Sequence, residues 1–187
     1  MENLIVEVKG SSDYVTCAQF FRFMLFKGKN YKTLPRFVFA LFIILGVFSA
    51  AIVAVSREFI FLILLGLDFF ALAMYLFLWF VVPKITYKRA KEMGNHEIVY
   101  KFYPDCIDIS STGENINGNE KINWTAYKTF YEVESAFYLF LGGVAHIIPK
   151  KDLTDNQKFL LSAFLSTSFP DKYMRCCKSP KNDVAGG

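Results

Sequence analysis

Residues able to do chemistry are few in this 187-residue chain, and they are scattered. His96 and His146 fall in different expected elements, and neither has a partner nearby in sequence to make it a general base or a metal ligand. Cys17, Cys106, Cys176 and Cys177 have no C-x-x-C spacing and no neighbouring histidines, which argues against a zinc site and against a disulfide framework. No H-E-x-x-H, G-x-S-x-G, P-loop or G-x-G-x-x-G pattern occurs. We therefore expect no catalytic residues, cofactor or metal, and read the chain as something other than an enzyme. Trp124 could stack on a ligand, but a single tryptophan in a strand is ordinarily core.

The exception is Asp68. It is the one charge in the run Phe59–Val82, and counting from Arg57 it lies level with Gly46, roughly 16 Å from the connecting turn. An acid at the middle of an apolar layer is costly when ionised and facing lipid, so it needs a polar partner. Ser49, the backbone around Gly46, or a group on another copy or another protein could supply one. Asp68 is thus either a protonated, hydrogen-bonded structural residue or an oligomer contact or ion relay. Gly46, Ala50 and Ala54 are spaced by four and let another helix approach closely. Packing against the second apolar run of the same chain is the favoured reading of that stripe, and a homo-oligomer contact is the alternative.

The elements that position these residues are marked by hydropathy. Hydrophobic residues make up 53% of the chain and aromatics 18%, and the excess lies between Phe37 and Val82. The uncharged run 37–55 extends roughly 28 Å as a helix and the run 59–82 roughly 36 Å, enough for each to span a bilayer. Only Ser56-Arg57-Glu58 separates them, so the spans form an antiparallel hairpin. Lys27, Lys29, Lys32 and Arg36 precede it, and Lys84, Lys88, Arg89 and Lys91 follow it, against Arg57 alone in the turn. This bias places both termini in the cytoplasm, in a multi-pass protein of the cell membrane. Pro35 suits the first turn of the first span; Trp79 suits the interfacial belt, and Pro83 is expected to end the second span. The net charge of +4, clustered beside the spans, points to the headgroups of an anionic leaflet and not to nucleic acid. Lys84, Lys88 and Arg89, joined by Lys150 and Lys151, are the candidate contacts for headgroups or an acidic partner.

Four segments follow from this. Residues 1–30 hold a strand at Leu4–Val8 and, after the cap Ser11-Ser12-Asp13, an apolar helix Tyr14–Phe26 that lies in the interface or docks on the soluble domain. No secretory signal is expected there. Residues 31–95 hold the hairpin and a charged helical extension stopped at Gly94-Asn95. In 96–170, alternating runs at 98–102, 106–109, 122–124, 130–133, 138–141 and 144–148 are separated by turns that include Thr112–Asn115 and Asn117-Gly118-Asn119. They predict a six-stranded antiparallel meander, followed by a helix at 153–169 capped by Thr154 with Gln157. The tail 171–187 is expected to be disordered. The fold class is membrane α+β: a transmembrane hairpin plus a pleckstrin-homology-like (PH-like) half barrel closed by a C-terminal helix.

That order of elements, with Ile122-Asn123-Trp124, Glu132, Phe137–Phe140 and Ile147-Ile148-Pro149-Lys150-Lys151 before the last helix, resembles the YcxB-like bacterial membrane proteins along nearly the whole chain. Lys151 stands where arginine is more usual, and Leu153 stands near a usual aromatic. The resemblance implies fold and placement and carries no reaction. The expected function is a non-catalytic binding or scaffold module at the membrane, with an unidentified protein partner or lipid. The alternatives are an immunity or stress-accessory protein acting through its hairpin, and a small oligomeric transporter component.

Overall fold

The computed structural model describes residues 3–10, 13–27, 31–56, 59–92, 96–113 and 117–177. Arg57-Glu58, Lys29, Gly94-Asn95, Ser11-Ser12, Glu114-Asn115 and the tail from Lys178, all invoked above, lie outside them. The chain divides into two units, one of residues 1–16 with 91–187 and one of residues 17–90.

The first unit is built on β1 (Val6–Gly10), β2 (His96–Phe102), β3 (Cys106–Gly113) and β4 (Asn117–Asn123), paired antiparallel in that order. A second sheet runs β7 (Val144–Pro149), β6 (Ala136–Leu141), β5 (Thr129–Glu132) and β8 (Tyr173–Arg175), with β8 parallel to β5. The expected single meander is therefore split in two. The break falls at Trp124–Ala126, which forms a 3-10 turn instead of continuing the strand. Asn117-Gly118-Asn119, expected as a turn, is strand: Asn119 faces Ser110 and Gly118 faces Ser111.

Alternation explains the sheets. Val6, Val8 and Gly10 turn inward from β1 while Glu7 and Lys9 stay out, the pattern of a strand with one buried face. Val8 pairs with Tyr100, so the N-terminal strand completes a sheet whose other strands lie beyond the hairpin. Gly10 is needed there, because a Cβ would stand 2.9 Å from Cε2 of the buried Tyr100 ring. Helix α5 (Asp155–Ser168) begins with the reciprocal Thr154–Gln157 capping box and buries Leu161 and Leu165. Gln157 also donates through Nε2 to the Glu7 carbonyl at 2.8 Å, tying the helix start to β1.

Both sheets and α5 share one core. Trp124 is at its centre, with ring centroids of Phe102, Tyr127, Phe130, Phe164 and Phe169 within 5.9 Å. Its Nε1 donates to the Tyr103 carbonyl at 2.9 Å, satisfying the one polar atom of the indole. This is a core tryptophan.

The second unit contains α2 (Leu34–Ser56), and α3 (Phe59–Leu76) running through a π-helical turn at Phe77–Val81 into α4 (Val82–Glu92). Pro83 therefore does not end the helix. Proline removes an N–H and crowds the carbonyl four residues back, here Trp79, which lies within the wider π turn; a π turn of this kind is how a helix can carry a proline without breaking. Helix α1 (Tyr14–Leu25) crosses the division between units. Asp13 caps it, accepting from the Thr16 N–H at 2.8 Å.

Candidate functional site

Two polar clusters stand out, one in each unit. The first is in the hairpin. Ser49 of α2 donates through Oγ to Asp68 Oδ2 of α3 at 2.8 Å, so of the candidate partners it is the serine that meets the acid. Beside this bond lies a groove of about 310 Å³ lined by Phe42, Gly46, Ala50, Leu65, Asp68 and Leu72 among others.

The small-residue stripe does not pack against α3. A Cβ built on Gly46 meets nothing within 4 Å, and Ala50 and Ala54 are exposed, whereas Ser49, Ile52 and Val53 are half-buried. The contact between the helices thus runs along the Ser49 side of α2, and Gly46 and Ala50 of the stripe line the open groove. Toward the far end of the hairpin, the Tyr75 hydroxyl donates to the Pro35 carbonyl at 3.0 Å and its ring stacks on Trp79. Arg22 of α1 lies 5.0 Å from the Trp79 ring in a cation–π contact.

The second cluster surrounds Glu132, the last residue of β5, which is 4% exposed. Lys150 Nζ lies 2.7 Å from Oε1. Ser162 of α5 donates to Oε2 at 2.9 Å, and the Tyr173 hydroxyl and Arg175 Nε of β8 donate to the same oxygen, Arg175 at 3.1 Å. Burial alone would raise the carboxyl's pKa. The donors from Lys150, Tyr173 and Arg175 outweigh it and hold the group down to about 2. Burial and the bond to Glu132 push the Tyr173 hydroxyl up to about 12. Glu132 is therefore a buried anion satisfied from four directions.

Of the basic residues expected to face headgroups or an acidic partner, Lys150 and Lys151 are engaged in ion pairs within their own unit. Lys150 is turned inward: its side chain is 15% exposed, occupied by Glu132, and seated 4.7 Å from the Phe137 ring. Lys151 bonds Asp13 Oδ2 at 2.8 Å, joining the start of α1 to the 3-10 turn after β7. Asp13 is kept near 2 because the bonds from Lys151 and Thr16 overcome the opposing effect of partial burial. Lys84, Lys88 and Arg89 lie on α4, and all three are exposed. Of the basic candidates in the same unit, Lys84, Lys88 and Arg89, none lines the Asp68 groove.

His146 is half-buried between the rings of Tyr100 and Tyr127. Burial holds its pKa below the ordinary value, with Glu120 acting in the opposite sense. The His146 Nε2 and the Tyr127 hydroxyl are buried without a hydrogen-bond partner among the described residues. Among the described residues no group of histidine, cysteine and acidic side chains could hold a metal ion.

Sequence reasoning named Lys150 but missed Glu132 as its partner, along with Ser162, Tyr173 and Arg175. The one available signal was an acid at the end of an otherwise apolar strand pair. No curated protein and no solved structure matches the chain. Residues 109–165 match the family model described as YcxB-like protein, a narrower span than the nearly full-length resemblance noted from the motifs. That span runs from β3 into α5 and contains Trp124, Glu132, Lys150 and Ser162, so the core tryptophan and most of the buried anion site lie within the stretch that is similar to the YcxB-like model.

Proposed function

We propose that this protein is a membrane-anchored, non-catalytic interaction module. In this reading α2 and α3 cross the bilayer of the cell membrane as a hairpin with both termini in the cytoplasm, and the YcxB-like domain recruits a protein or lipid there. One observation carries it. The two long apolar helices keep their side chains uncovered, since Pro35 is the one buried residue of α2 and α3 has none among the described residues. Large apolar groups such as Phe37, Val47, Phe48, Leu67, Phe69 and Phe70 are all more than half exposed. A soluble protein would bury such a surface.

A PH-like half barrel is supported by the topology: two antiparallel meanders, β1–β4 and β5–β7, share a core closed by a C-terminal helix. The eight basic residues flanking the hairpin would draw this assembly to an anionic leaflet. The second reading, a contact made by the hairpin itself, is favoured by the open groove at Gly46 and Asp68.

Cysteine substituted for Ser56, in a chain cleared of its other cysteines, tests the topology. Labelling from outside intact cells by a membrane-impermeant maleimide is the expected result. Labelling only after lysis would overturn the orientation. Capture of a specific partner from native membranes would then separate a recruiting domain from a simple anchor.

A further inference from the structure

The last sheet ends in an unusual arrangement. Strand β8 is three residues long, forms the edge of its sheet, and makes the one parallel pairing among the described residues. Parallel pairing is the weaker kind, and three residues supply little of it. Met174 is 48% exposed and the Arg175 side chain 39%. Its side chains are held through Glu132 and Ser162: Tyr173 and Arg175, on the same face by strand alternation, both reach Glu132 Oε2 and both bond Ser162 Oγ, while the Tyr173 ring packs against the core and its N–H bonds the Phe169 carbonyl.

The chain just before β8 is held separately. Lys172 Nζ bonds the carbonyls of Tyr127 at 2.8 Å and Trp124 at 3.3 Å, and its N–H bonds Phe169. Lys172 is thus a fixed point from which the strand beyond can swing. If β8 leaves, Glu132 is not stranded, because Lys150 and Ser162 still hold it. Departure would uncover the edge of β5, including the Glu132 carbonyl now taken by the Cys176 N–H, together with a carboxylate oxygen that has lost two of its donors.

We propose that the edge of β5 is a peptide-docking groove, closed in the resting chain by its own residues 173–176. The occupant it fits is an extended segment of a partner protein lying parallel to β5, with a hydroxylated aromatic followed two residues later by arginine, the pattern Tyr173 and Arg175 display. Backbone bonds to the edge would supply affinity, and Glu132 with Ser162 would supply selection. This rests on reading the domain as an interaction module, and names the surface it uses.

The test uses a fluorescein-labelled synthetic peptide of residues 171–177, with serine for both cysteines, and the full chain in detergent. In the wild type the tethered strand competes at high effective concentration and suppresses binding. Arg175→Glu in the chain removes the guanidinium bonds to Glu132 and Ser162 and should raise peptide affinity tenfold or more. A peptide carrying the same substitution should bind that chain at least tenfold more weakly. Met174→Pro, which disturbs the ladder and leaves Glu132 untouched, should act in the same direction. Amide exchange at Leu139 reports whether each variant is folded. Equal affinity for wild-type and variant chains, with Leu139 protection retained, would overturn the groove. Partner capture from membranes that is indifferent to Met174→Pro would likewise remove the groove while leaving the module standing.

Discussion

Replacing Glu132 by glutamine keeps the shape of the side chain and one acceptor oxygen, but deletes the charge that Lys150 and Arg175 face. Removing one member of a buried ion pair typically costs 3–5 kcal/mol. Here Lys150 is 15% exposed and Arg175 39%, so water relieves part of the loss and about 2–3 kcal/mol is expected. For a domain of about a hundred residues this lowers Tm by roughly 10–20 °C. The pH dependence is more specific. A carboxyl held to about 2 in the folded chain against an ordinary 4.5 stabilises the fold, by about 3 kcal/mol. Because the folded pKa is the lower one, that contribution is complete above the ordinary value and is lost as pH falls from about 5 toward 2. Urea unfolding followed by Trp124 fluorescence, in a Trp79→Phe background, should show this acid-side slope in the parent and a flatter one in Glu132→Gln. Asp13 titrates in the same window but is 41% exposed, and contributes equally to both chains. Identical slopes would refute the assignment of Glu132 as the buried anion.

Gly10→Ala should destabilise the domain by about 1–3 kcal/mol, read from the same unfolding curve, because the new methyl meets a buried tyrosine ring that has little room to give. Trp124→Phe should cost about 1–3 kcal/mol beyond its lost packing, since the Tyr103 carbonyl loses its indole donor, and Trp124→Ala more still. Ser49→Ala should weaken the helix pair by about 0.6–1.7 kcal/mol in a bilayer mimic, measured by thiol crosslinking between α2 and α3. Asp68→Asn, which keeps an acceptor for Ser49, should leave that crosslinking unchanged; if assembly changes while crosslinking does not, Asp68 serves a contact outside the hairpin.

What could be read from sequence was local. The Asp13 cap and the Thr154–Gln157 box are signals within four residues, and hydropathy alone located both long helices. Signals that depend on distant chain were lost. Nothing near Val6 announces that it will face Phe102. Tyr173-Met174-Arg175 is too short to display alternation, so β8 was read as tail. Lys150 looked like an ordinary solvated lysine because its acid lies on another strand. Pro83 misled for a different reason: its usual effect on a helix is absorbed by a π turn that no residue pattern marks.

The pairing of β1 with β2 sets an order of events during synthesis. β1 leaves the ribosome early, yet its partner emerges only after both apolar helices have been made. At 5–20 residues per second, the strand waits on the order of five to twenty seconds with both edges and its apolar face uncovered. Lys9 and Glu7 on its outer face then act as guards against pairing with a neighbouring nascent chain, the role charges commonly play on strand edges. The sheet is thus finished by its oldest strand.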